Sequence, residues 1–580
     1  MRWIRNSTAV ATGLFWSVAS AAPAPARSAE QWRRDLVTLA AELPRRHPRP
    51  FHAVRESDWR AAVADLDARI PTLSPNQTKV GFMKLVAMIG DGHTVLSPLA
   101  GPELGFHSVP VRFYQFSNGI FVRAADAEHR DLIGARLTTV GTVGVDEAIR
   151  RIAPIVSRDN DEGLKLVVPK YLGIPEILDG LGLISGDGRV AYRFEKEGRV
   201  IAAELAPGAA VGSDVLGDLL PFKNPPGWID ARDGAANPPP LWLVDPTTFY
   251  RKSYDEKNRL LYIQFNIVAN RPGETIAQFF GAIPAFARAH PVEKLVLDVR
   301  QNAGGNNQLN APIVRAVLAS GLGERGRLFV VIGRETFSAA ENLVNDLSKL
   351  ASPIFVGEPT GASPNEYGDP ERVTLPESGL VVSVSTFFYT DAGRHAGTRT
   401  NPEVPTELSF DEYRNNVDPA MDRIVRYRSL TAALTAAIAA ADSTGLDRAY
   451  RAFKSSPETS WIQTERETNS LGYSLLGEGK TSLAVLLFRL NAESYPDSVN
   501  VYDSLGEACS AAGDVTCARE SYSRLLELDP GTTRPDGRSR SSLRADPGPG
   551  GAWRRPASPR LMVAANDKEL RSQSGRPRPV

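Results

Sequence analysis

The chain has 580 residues, long enough for several domains, with 42% hydrophobic and 23% charged residues. Its 67 basic residues balance 67 acidic ones, which argues against a nucleic-acid binder or a polybasic membrane protein. Cys509 and Cys517 are too few for a disulfide framework; one bridge between them is open, but two buried helical thiols are the expected state.

In chain order, residues 1–28 read as a secretory signal. Arg2 and Arg5 precede a small, apolar run from Ala9 to Ala21, and Ala19-Ser20-Ala21 offers a cleavage site. No later run is long enough to span a bilayer, so the mature protein is expected in the periplasm or outside the cell. Residues 29–100 form a helical region. Trp32, Leu36, Leu39 and Leu43 recur at helical spacing, as do Trp59, Ala62, Val63 and Leu66, with a break at His47-Pro48-Arg49-Pro50-Phe51. His47 and His52 read as surface or cap groups. The region ends in Gly90-Asp91-Gly92-His93-Thr94, where His93 stands on a glycine-rich turn, exposed and positioned rather than packed. Histidine is the side chain suited to proton transfer near neutrality.

Residues 101–235 alternate in the β manner at Val109 to Phe113, Ile120 to Arg123, Ala135 to Val140, Val190 to Phe194 and Val200 to Leu205. Pro225-Pro226 and Pro238-Pro239-Pro240 mark a linker before residues 241–430. There, apolar runs at Leu295 to Val299, Leu328 to Ile332 and Ile354 to Val356 alternate with loops and helix-like segments, the cadence of a largely parallel α/β layer. Active groups in such layers gather at the carboxyl ends of the strands, where Gly304-Gly305 and Ser338 fall. Ser338-x-x-Glu341 also has the form of a helix capping box, a commoner use of serine than nucleophilic attack. A serine at a helix start lies beside free N–H groups in either case, and the Gly304-Gly305 pair can bring another.

Asp298-Val299-Arg300-Gln301-Asn302-Ala303-Gly304-Gly305, Thr336-Phe337-Ser338-Ala339-Ala340-Glu341 and Gly357-Glu358-Pro359-Thr360 resemble, in order and spacing, three signatures of the tail-specific (carboxyl-terminal-processing) serine proteases. The resemblance runs from Lys294 to about Pro405. It implies a multidomain α/β protein with a crotonase/ClpP-like β-β-α catalytic layer, a Ser338 nucleophile, and an oxyanion hole from the amides of Gly304 or Gly305 and Ala339. The usual lysine base of the family is Ser363 here, and no lysine occurs between Lys349 and Lys454. Asp91-Gly92-His93-Thr94 resembles the turn of the tricorn-like and retinoid-binding branch, in which a histidine replaces that lysine, so His93 is the implied base. Gly92 stands where tricorn-like enzymes have serine, and Ala396 lies near the slot of their glutamate. Glu366, Asp369 and Asp91 are then the candidates to orient His93. Gly134 to Gly141 followed by Val145 to Ile149 resembles the end of a PDZ module, without a clear carboxylate-binding loop.

From Thr431 the chain turns to alanine-rich helix. Leu471-Gly472 recurs as Leu505-Gly506, Ala484 as Ala518, Phe488 as Tyr522 and Pro496 as Pro530, a tetratricopeptide pattern within an α-helical unit at 440–530. Residues 531–580 carry 11 basic and 4 acidic residues among many Pro, Gly and Ser, the composition of a disordered tail. The expected protein is an exported serine-type peptidase that acts on peptides or unfolded proteins, with a protein partner for the repeats. It needs no cofactor or metal, and no metal-ligand spacing is visible. The rival expectation is an inactive relative that binds peptides or lipophilic ligands.

Overall fold

A computed structural model describes residues 27–100, 104–186, 188–211, 222–390 and 397–530. The proposed signal up to residue 26, the Ala396 slot and the tail from 531 lie outside the described residues; Arg27 and Ser28, by contrast, belong to the fold. Two compact units are present. One runs to Ser429 and takes in Pro457–Gln463; the other holds Leu430–Ser456 and continues from Thr464.

The first unit is built around a six-stranded sheet in the order Val404–Pro405, Ile354–Gly357, Leu328–Ile332, Lys294–Asp298, Leu260–Phe265, Tyr250–Asp255. All neighbours are parallel except the last pair. Leu328–Ile332 and Ile354–Gly357 are buried at every residue, so each is a continuous apolar run. Helices Ala311–Ala319 and Ala339–Leu350 pack Ile313, Val317, Leu343 and Leu347 against Leu297, Val330 and Phe355.

Three helices, Ala29–Arg46, Glu56–Arg69 and Pro75–Ala87, precede the His93 turn. The strand that follows it, Val95–Leu96, pairs antiparallel with Val381–Val384, which draws the turn toward the chain beyond the parallel sheet. An antiparallel sheet runs Val111–Phe116, Gly119–Ala125, Arg136–Val140, Val190–Lys196, Arg199–Leu205. Between its strands lie Asp161–Tyr171 and Pro175–Gly180, helices that the β-like reading of this stretch did not include. The missed signal was local: the Asn160 side chain caps the first of them, followed by the acidic pair Asp161-Glu162.

In the second unit, helices begin 34 residues apart, at Glu465 and Val499 and again at Thr481 and Val515. The repeating glycines sit where the helices cross. A Cβ on Gly472 would lie 2.5 Å from the Phe488 ring, and one on Gly506 2.7 Å from Tyr522. Phe488 is fully buried and has nowhere to go. Gly472→Ala should therefore lose about 1–3 kcal/mol through overpacking, against a helix-propensity gain of about 1 kcal/mol. Gly477→Ala, with nothing near its Cβ, should be neutral or stabilising. Thermal unfolding of the two variants checks the sign. The expected pair of buried thiols is corrected: Cys509 and Cys517 form a disulfide, their Cα atoms held 5.8 Å apart by adjacent helices of one repeat.

Candidate active site

Ser338 ends the turn that leaves strand Leu328–Ile332 and immediately precedes helix Ala339–Leu350. Its backbone stands at φ 56°, ψ −129°, a conformation that costs a residue with a side chain about 1–3 kcal/mol. The turn is held by Thr336, whose Oγ1 accepts from the Gly333 N–H at 3.0 Å and donates to the Val299 carbonyl at 2.9 Å. Phe337 N–H donates to the Asn302 carbonyl, and the Ser338 N–H faces the Glu366 carboxyl. The capping box is not formed. Ser338 accepts no helix N–H through its side chain, and Glu341 instead takes the Thr400 hydroxyl at 2.6 Å. The positive φ is the reason: it turns the residue out of the extended conformation that capping serines adopt.

The glycine loop closes on this turn. A Cβ on Gly304, at φ 100°, would fall 2.7 Å from Ser338 Cβ and 3.0 Å from the Ala339 nitrogen, so only glycine fits. Asn302 fixes the loop, donating from Nδ2 to the Phe265 carbonyl and accepting the Gly304 N–H, both at 2.9 Å. Of the three expected oxyanion donors, Gly304 is thereby already engaged. The Gly305 and Ala339 N–H groups donate to no acceptor among the described residues. Ala339 follows Ser338 at the helix amino terminus and Gly305 follows the glycine packed against the Ser338 Cβ, so both belong to the backbone around this residue, where open N–H groups can stabilise a developing negative oxygen.

The His93 turn is organised by Asp91. Its Oδ1 accepts the N–H groups of His93 and Thr94 at 2.9 and 2.7 Å and the Ser385 hydroxyl at 2.8 Å. Its Oδ2 meets His47 Nε2 at 2.9 Å. His47 Nδ1 accepts the Arg49 N–H, so Nε2 carries the proton and donates to Asp91. His47, expected at the surface, is thus buried in the support of the turn. Asp159, which the sequence did not single out, accepts the Gly92 N–H at 2.6 Å and the Ser363 N–H at 3.1 Å. The His93 ring stacks on Phe337 with centroids 4.4 Å apart, which sets it against the residue preceding Ser338. A Cβ at position 92 would lie 2.7 Å from the same Phe337 ring, which accounts for Gly92.

Burial pushes the His93 imidazole below its usual range, opposed by the Asp91 and Asp369 carboxylates and the Tyr367 carbonyl. Its Nδ1 is buried and meets no partner among the described residues. None of the three candidate orienting groups takes a hydrogen bond from that nitrogen. Asp91 serves the turn, Asp369 is exposed and accepts from the Tyr389 hydroxyl, and Glu366 lies under Ser338, with Asn342 at 3.4 Å from it. Burial raises Asp159 to about 7, Glu341 to about 8 and Glu366 well above the carboxylate range, and the acids raise one another. Near neutral pH Glu341 and Glu366 are then largely protonated, and Asp159 about half so. Ser363, at the family's lysine position, donates its hydroxyl to the Thr398 carbonyl. Among the described residues, no cluster of three or more His, Cys, Asp or Glu could hold a metal ion, and no helix is long and apolar enough to cross a membrane.

No family model and no curated protein matches the sequence. Solved structures do match. Mature CPAF bound to lactacystin is 11% identical, over 67% of this chain and 96% of its own, with a TM-score of 0.46. The photosystem II D1 C-terminal processing protease is 15% identical, over 65% of this chain and 93% of its own, at a TM-score of 0.32. The tricorn protease is 11% identical, over 68% of this chain and 35% of its own, at 0.27. The solved structures that this chain is similar to thus include a C-terminal processing protease and the tricorn protease.

Proposed function

We propose that the chain is a serine-type peptidase in which Ser338 attacks a peptide carbonyl. His93 takes the hydroxyl proton and returns it to the leaving amine, while the Gly305 and Ala339 amides hold the oxyanion. The observation that carries this reading is the strained backbone of Ser338 at a helix start, with its side chain unused as a cap and Gly304 packed against its Cβ. A fluorophosphonate tests it: the Ser338 oxygen would bond to phosphorus and expel fluoride. We expect stoichiometric labelling of the wild type and none of Ser338→Ala. No label on the wild type, or equal label on both, removes the nucleophile. One observation favours a non-hydrolysing binding protein instead: His93 Nδ1 makes no hydrogen bond to a carboxylate among the described residues.

The apolar run from Ala9 to Ala21 would direct export to the periplasm or beyond, and the substrate would be a peptide or unfolded protein. The 34-residue helix pairs would be tetratricopeptide repeats offering a surface to a protein partner.

A further inference from the structure

The carboxyl ends of the parallel strands also enclose a small cavity of about 50 Å³. Gln301 reaches it from beyond strand Lys294–Asp298, Glu335 from beyond Leu328–Ile332, and Thr406 from the end of Val404–Pro405; Trp242 and two aromatic rings, Tyr114 and Phe222, complete its walls. Three of these residues carry a buried polar atom with no partner among the described residues: Trp242 Nε1, Gln301 Nε2 and Thr406 Oγ1. Buried donors are nearly always paired with protein, water or ligand, so three unpaired atoms around one cavity are a demand for polar partners within it.

The demand has a definite chemistry. Two of the atoms can only donate, so the ligand must bring an acceptor. The surrounding charges exclude an anion: Arg300 is already held by Asp298 and Asp418, and Arg334 by Glu358, so two cations face three carboxylates. Glu335 adds a fourth acid, pushed by burial to about 7. A cation would satisfy Glu335 but leave the indole and amide N–H groups unpaired. A carboxamide meets both needs, its oxygen accepting from Trp242 and Gln301 and its NH₂ donating to Thr406 or Glu335. It is flat enough to lie between aromatic walls, and the space exceeds the roughly 10–15 Å³ that a single water requires.

We propose that this cavity is a subsite for a neutral carboxamide, the side chain of a glutamine or asparagine in a bound peptide. The proposal rests on the peptidase reading for its ligand. The test uses full-length Ser338→Ala protein, which cannot turn over, titrated calorimetrically with two hexapeptides, acetyl-Ala-Ala-Gln-Ala-Ala-Ala-amide and its norleucine counterpart. Both carry the same backbone amides, so a difference reports the side chain alone. A site built to hydrogen-bond its ligand should prefer the glutamine peptide by about tenfold or more. Adding Gln301→Leu or Thr406→Val should bring that preference to within about twofold, by the same argument. Thr406→Val keeps the side-chain shape and guards against a variant that fails to fold. Equal binding of the two peptides, or a preference that survives both substitutions, overturns the subsite. A preference without hydrolysis by the wild type would remove the peptidase reading and leave the subsite; hydrolysis of both peptides at equal rates and equal affinity would do the reverse.

Discussion

Ser338→Ala should lower kcat/KM on an unstructured peptide by about 10⁴-fold or more, because nucleophile and base act as a unit in such sites. His93→Ala should cost nearly as much, and the double variant should be no worse than either single one. Ser363→Ala should matter little, since that hydroxyl only meets the Thr398 carbonyl. The pH profile carries the assignment further. A base works as the neutral imidazole, so kcat/KM rises with pH through the His93 pKa. Burial holds that pKa below the usual value of about 6.5, so the rising limb should lie below it and the rate should be flat by about pH 7. A limb at alkaline pH, or a His93→Ala variant with wild-type activity, would place the base elsewhere.

Asp91→Ala should have the largest effect on stability. One carboxylate serves two N–H groups, a hydroxyl and the His47 imidazole, three of these contacts buried and the His93 one partly so. Leaving such donors unpaired costs about 1–3 kcal/mol each, so a loss of several kcal/mol is expected, together with loss of activity as the His93 turn relaxes. Asp91→Asn should fall between alanine and wild type. Its amide oxygen can keep the three turn contacts, but its NH₂ then faces the His47 N–H, and His47 cannot reverse its tautomer without losing the Arg49 contact. Denaturant unfolding of the two variants, read beside their kcat, decides this. An alanine variant as stable as wild type would mean that Asp91 does not organise the turn.

The parallel strands were legible because residues buried on both faces leave an unbroken apolar run, and the loops between them carried glycine and serine at readable spacings. Motif order also brought Gly304 and Ser338 to one corner, where their backbones do meet. Three kinds of feature were not legible. Asp159 and Ser385 act through hydrogen bonds to residues far away in the chain, and one polar residue in a loop has no periodicity to betray it. Helix Asp161–Tyr171 was hidden by Pro169 inside it and by the β-like stretches on both sides. The burial of His47 follows from a partner, Asp91, that lies 44 residues on, beyond two further helices. Nor could the sequence separate Gly304 from Gly305; the Asn302 side chain decides which amide stays open.

The wide separation of Asp91 and Ser385, 294 residues apart yet joined by one hydrogen bond, bears on how the molecule comes into being. A chain made from its amino terminus presents the His93 turn early, when neither Ser385 nor the Phe337 ring yet exists to seat it. Contacts so distant along the chain form late, after the loop-closure entropy between them has been overcome. The corner around Ser338 is therefore incomplete through most of synthesis, and it closes only once the chain beyond Ser385 has been made.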